Sequence, residues 1–131
     1  MEYKLVIQGR LACLNDYLSA ERITIRTPKG ITTKGNILKQ KTQDDICEFI
    51  YKYLRGVHID KSVSLHYTFY EPNRKRDKDN IASFGMKVIQ DSLVKTKVLE
   101  NDNWKCIKGF TCDFEVDSKN PRIEIIIKEI D

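Results

Sequence analysis

Between residues 62 and 96 the spacing of apolar side chains changes, and that change sets the middle of the fold. Over 62–70, SVSLHYTFY, Val63, Leu65, Tyr67 and Phe69 alternate with Ser64, His66, Thr68 and Tyr70, which is the pattern of a strand with one buried face. His66 falls on the polar face, where a lone histidine is solvated, and it is given no role. Pro72 ends the strand. From about Asn80 the apolar Ile81, Phe84, Met86, Val88, Ile89 and Leu93 sweep one side of a helix that continues to about Thr96. The connection is short and charged. Arg74, Lys75, Arg76 and Lys78 crowd around Asp77 and Asp79 where the helix begins, a place where carboxylates are favoured by capping and by the helix dipole.

The flanking segments complete an α/β chain. Residues 3–8, YKLVIQ, are strand formers, and LNDYLSAER after Gly9 reads as a loop. Arg22 to Thr27 alternates Ile23 and Ile25 with polar residues as a half-buried strand, closed by Pro28 and Gly30. Ile46, Phe49, Ile50 and Leu54 share a helical face within about 36–55, with Gly56 as the stop. Segments 105–116 and 122–130 read as two strands joined by a hairpin loop at SKNP. The expected order is β-β-α-β-α-β-β, a single domain over 1–131 with a mixed sheet of four to five strands and two main helices. At 131 residues one core suffices.

Composition excludes several classes. Hydrophobic residues are 40% and charged residues 32%, which is ordinary for a globular domain and unlike a disordered, collagen-like or membrane chain. No apolar run approaches about 18 residues, and the start MEYKLVIQGR is too interrupted for a signal sequence, so a cytoplasmic protein with no membrane partner is expected. Cys13, Cys47, Cys106 and Cys112 form neither a CxxC pair nor a zinc-spaced cluster, which points to reduced, mostly buried thiols. A net charge of +4 permits nucleic-acid binding without demanding it.

The charged turn admits two readings. In the first, Asp77 and Asp79 cap a helix beside a solvated basic cluster. In the second, two mutually repelling carboxylates and a set of phosphate-attracting cations are reconciled by a divalent metal lying between carboxylate and phosphodiester. A calcium loop is excluded, because Ile81 and Ala82 stand where an EF-hand needs an oxygen ligand and a glycine. Asp102, in the ENDN turn after the helix, is a candidate third carboxylate, whereas Asp91 is better placed as a surface or helix-contact residue. Lys87 lies two turns above Asp79 on the same face.

The ordered set Pro72, the basic run, Arg76-Asp77-x-Asp79-Asn80, a helix with Lys87 four residues before Asp91-Ser92-Leu93, and then Asp102, resembles the RusA family of Holliday junction resolvases, small homodimeric endonucleases often carried by phages and prophages. Asn15 and Tyr17 echo that family's early asparagine and tyrosine. The resemblance implies a RusA-like fold, Mg²⁺ as cofactor with Mn²⁺ as a substitute, and branched DNA, a four-way junction, as partner. It implies Asp77, Asp79 and Asp102 as metal-binding catalytic carboxylates and Lys87 as a catalytic or phosphate-contacting lysine. Arg74, Lys75, Arg76 and Lys78 would contact DNA. One departure is visible: the family's lysine follows the second aspartate by four residues, a position held here by Ser83, and Lys87 lies about 6 Å further along the helix. The alternatives are a non-enzymatic DNA-binding protein using the same basic loop, and a nuclease acting on other branched DNA.

Overall fold

The computed structural model describes residues 1–130 and has the order β1 (Glu2–Gln8), α1 (Leu14–Glu21), β2 (Thr24–Thr27), β3 (Gly30–Thr33), α2 (Lys34–Leu54), β4 (Ser62–Glu71), α3 (Lys78–Lys95), β5 (Ile107–Val116) and β6 (Arg122–Ile130). It is a small α/β domain. Four strands form a mixed sheet in the order β1-β6-β4-β5, and β2 pairs only with β3 in a separate two-stranded ribbon. β6 runs antiparallel to both β1 and β4, and β5 lies parallel to β4 through the crossover helix α3.

Strand period decides what the sheet buries. Val63, Leu65, Tyr67 and Phe69 of β4, Leu5 and Ile7 of β1, and Ile123, Ile125 and Ile127 of β6 lie within one core with Ile46 and Ile50 of α2 and Phe84, Val88, Ile89 and Leu93 of α3. Phe69 stacks on Phe114 of β5 with centroids 5.4 Å apart. The opposite sheet face carries no helix, and His66 points there as its parity requires, against Thr111 and Asp113 of β5. No helix among the described residues is long and apolar enough to cross a membrane.

Three expectations need correction. LNDYLSAE is a helix, not a loop: Asp16 at its third position accepts a hydrogen bond from the Cys13 backbone N–H at 3.1 Å, half of a capping box around an unusual cap residue. Arg22–Thr27 does not enter the main sheet as a half-buried strand, and Ile23 is 45% exposed at the base of the ribbon. Strands 5 and 6 form no hairpin, because β6 inserts between β1 and β4. The reason lies in their side chains. β6 carries isoleucine on both faces, with Ile126 turned outward, and suits a central position, whereas β5 carries Lys108, Asp113 and Glu115, residues that tolerate an open edge.

The difference between centre and edge is measurable. Ile125→Ala should lower unfolding free energy by about 2–5 kcal/mol, while Phe110→Ala, at a position 53% exposed, should cost less than about 1 kcal/mol in the same denaturant titration.

Candidate functional site

The carboxyl ends of β4 and β5 and the start of α3 enclose a cleft of about 710 Å³, lined by Glu71, Asn73, Arg74, Arg76, Asp77, Lys78, Asp79, Ile81 and the run Phe114–Val116. Its geometry begins with Glu71. At the last position of β4, on the buried parity of that strand, Glu71 is 5% exposed and receives a two-pronged bond from Arg76, with Nε to Oε1 and Nη2 to Oε2 both at 2.9 Å. Arg76 Nη1 also donates to the Leu11 carbonyl at 3.0 Å, and Arg10 reaches Glu71 at 3.5 Å. Arg76 is therefore anchored inward and differs from Arg74 and Lys75, which stand exposed.

That anchor sets the residue after it. Asp77 is the N-cap of α3, with extended backbone, yet its side chain makes no capping bond. Asp79 lies in the first turn, where Oδ1 accepts from the Asn80 N–H at 2.8 Å. Neither carboxylate has a cation within ion-pair distance among the described residues, and both face the same cleft. Lys78 leans over the Phe114 ring at 5.7 Å. Asn80 turns away to accept from the Asn15 N–H at 2.9 Å, docking the start of α1, and Tyr17 stacks on Phe84 at 5.0 Å. The early Asn-Tyr segment thus supports the helix that carries the aspartates.

A second charged group lies further along α3. Lys87 Nζ is 3.1 Å from Asp91 Oδ1 and 4.0 Å from Asp102 Oδ2. The hydrogen bond to Asp91, opposed by partial burial and helped by both carboxylates, raises the Lys87 pKa, so the ammonium stays charged. Asp91 also meets Lys39 at 3.7 Å and Gln43 at 3.4 Å, which makes it a contact between α2 and α3, as its sequence position suggested. Ser83, between the two groups, donates to the Asp79 carbonyl at 2.6 Å.

The structure thus brings Asp77, Asp79, Arg74 and Lys78 together, and it brings Lys87 and Asp102 together. It does not merge the two sets. Among the described residues no three His, Cys, Asp or Glu side chains converge to hold one ion, so Asp102 does not complete a cage with Asp77 and Asp79. Mg²⁺ asks less of a protein: one or two carboxylates, with water and substrate phosphate supplying the rest. Two unpaired neighbouring carboxylates in one cleft meet that requirement. Glu71 is the site residue that sequence reasoning passed over, although its buried parity beside Arg76 was the available signal.

The turn that holds Asp102 is clasped to the α2–β4 connection. Ile59 bridges Leu99, and His58 Nδ1 donates to the Lys97 carbonyl at 2.6 Å while Nε2 lies 3.1 Å from Asp60 and 3.3 Å from Glu100.

No family model matches this chain, and no curated protein does.

Two measurements test this geometry. Arg76→Ala strips buried Glu71 of its two-pronged bond and leaves it only Arg10, at 3.5 Å, and should destabilise the fold by about 3 kcal/mol in a denaturant titration, unlike Arg74→Ala, which should lie within about 0.5 kcal/mol of the parent. His58 has its pKa raised, first by the bond to the Lys97 carbonyl, with burial opposing it and Asp60 and Glu100 adding to it. A raised folded-state pKa stabilises fully below the unfolded value of about 6.5 and the gain is lost as pH climbs through the folded value. Relative to His58→Gln, the parent's melting temperature should therefore be highest below about pH 6.5 and lose that advantage above it.

Proposed function

We propose that this chain is a metal-dependent endonuclease that hydrolyses phosphodiesters in branched DNA, a four-way junction being its leading substrate, and that it acts as a homodimer placing one nick per subunit. The observation that carries this reading is Asp77: it occupies the N-cap of α3 but does not cap it, and its carboxylate is left with that of Asp79 in a cleft beside Arg74 and Lys78. An aspartate selected only as a cap would accept from the backbone of the first turn. The resemblance to RusA-family resolvases supplies the substrate class and the dimer.

In this reading Asp77 and Asp79 hold the ion, and Arg74, Lys75 and Lys78 draw the phosphate backbone over the cleft. Bound there, Mg²⁺ or Mn²⁺ supplies an attacking water of lowered pKa and offsets charge on the scissile phosphate. Lys87, kept cationic by Asp91 and beside Asp102 of the turn that follows the helix, lies about two turns further along α3, where its ammonium would meet the strand beyond the cut. The outer edge of β5 has no partner strand among the described residues and is open to a second copy. Twofold symmetry accounts for paired cuts.

The deciding experiment compares nicking and gel-shift affinity on junction, fork and duplex DNA, with and without Mg²⁺, for the parent and for Asp77→Asn and Asp79→Asn. Each substitution keeps side-chain size and removes one charge from the ligand set. Cleavage should fall by about 10²-fold or more, with junction binding kept and melting unchanged. Full nicking by both variants would end the nuclease reading of this cleft, and binding without any metal-dependent nicking by the parent would leave a non-catalytic DNA-binding protein.

A further inference from the structure

The densest uncompensated charge of the chain lies outside the cleft. Between Glu21 and Asp44 there are six cations, Arg22, Arg26, Lys29, Lys34, Lys39 and Lys41, and no acidic residue. Lys39 is engaged by Asp91 at 3.7 Å. The other five are exposed and have no carboxylate within ion-pair distance among the described residues. By contrast, the basic loop ahead of α3 spends Arg76 on Glu71 and sets Asp77 and Asp79 beside its remaining cations.

Arg26 and Lys29 lie on the β2–β3 ribbon and its turn, Lys34 and Lys41 on α2, and Arg22 at the end of α1. β2 and β3 pair with each other alone, from Thr24 opposite Thr33 to Thr27 opposite Gly30, and do not join the main sheet. The base of the ribbon is fixed by the Lys34 N–H to the Ile23 carbonyl at 2.9 Å and by the Thr33 hydroxyl to Glu21 Oε1 at 2.6 Å. Gly35 is packed so tightly on the Glu21 carboxylate that an added Cβ would displace it. Glu21 is thereby consumed in holding the ribbon, and Asp44, which shares a groove with Thr32, Asn36 and Lys41, is engaged by Lys95 at 3.3 Å and Gln40 at 3.1 Å. Across the ribbon Arg26 stands opposite Ile31, which is 68% exposed, a solvated apolar side chain that the core does not use.

We propose that the β2–β3 ribbon and the first turns of α2 form a second phosphate-binding surface that grips the duplex arm next to the cleft. The proposal rests on the nuclease reading for its choice of DNA, not for its charge. Placement supports it. α1 starts where Asn15 meets Asn80, beside Asp79, and its eight residues carry the chain about 12 Å before the ribbon begins. A major groove is about 12 Å wide and admits a two-stranded ribbon.

The test uses the full chain and fluorescence anisotropy with a fluorescein-labelled DNA duplex, over salt from about 50 to 200 mM without divalent ions. The triple variant Arg26→Ala, Lys29→Ala, Lys34→Ala should lose about 0.9 of log–log salt slope per contact, about 2.7 in all, and the charge-keeping Arg26→Lys should retain the parent slope. An unchanged slope in the triple variant, with its melting curve like the parent's, overturns the proposal, as does an equal or larger loss on an RNA duplex of the same sequence. Mg²⁺-dependent nicking, followed in parallel, separates the two ideas. Nicking with an unchanged slope removes the arm and keeps the nuclease, whereas a lost slope with no nicking keeps the arm and removes the nuclease.

Discussion

The buried pair of Glu71 and Arg76 is the constraint on which the cleft depends. Withdrawing a carboxylate and a guanidinium from water costs several kcal/mol for each ion, and such pairs are often no more stabilising than apolar residues of the same volume. Its consequence is geometric. Three bonds from Arg76, two to Glu71 and one to the Leu11 carbonyl, tie the end of β4, the segment after β1 and the entry to α3 at one point. With Arg76 turned inward, the next residue enters α3 with its carboxylate toward the cleft. Lysine could not replace this arginine, because a single ammonium cannot match both carboxylate oxygens and a backbone carbonyl in one plane.

The sequence made the periodic parts of this fold legible and hid the parts held by single contacts. β1, α2, β4 and α3 follow from period two or period 3.6, and their observed ends lie within about two residues of those read from the pattern. α1 escaped because it buries none of its residues fully and begins at a cysteine, leaving only Asp16 as a start signal. The position of β6 escaped for a different reason. Hairpin connection is the commonest local solution for two successive strands, yet β6 sits between β1 and β4, where Ile123, Ile125 and Ile127 are buried on one face and both edges of the strand are hydrogen-bonded. At the site, the paired aspartates were legible as spacing, while the role of Glu71 required knowing that its parity is inward.

The two carboxylate groups along α3 differ in what they have already been given. Asp91 and Asp102 share Lys87, and Asp91 has Lys39 as well, so that end of the helix is close to neutral and holds α2 against α3. Asp77 and Asp79 have no cation within ion-pair distance among the described residues; they have the positive end of the helix dipole, worth less than about 1 kcal/mol at an exposed position, and Asp79 also has the Asn80 N–H. The two ends of α3 therefore differ in charge balance, with carboxylates that lack a cation at its start and paired ones further along.

The cleft's lining carries the same imbalance. Its cations are Arg74, Arg76 and Lys78, and its carboxylates are Glu71, Asp77, Asp79 and Glu115, an excess of one negative charge. A phosphodiester brought into such a cleft alone meets net repulsion, and the pairing of Arg76 with Glu71 leaves only two cations to oppose Asp77, Asp79 and Glu115. One divalent cation between the two aspartates reverses the balance and makes the same surface attractive to phosphate. Under the proposed nuclease reading, affinity for a nucleic-acid backbone in the absence of metal would have to come from elsewhere on the molecule, and the five exposed cations between Arg22 and Lys41, none with a carboxylate within ion-pair distance among the described residues, are the candidates.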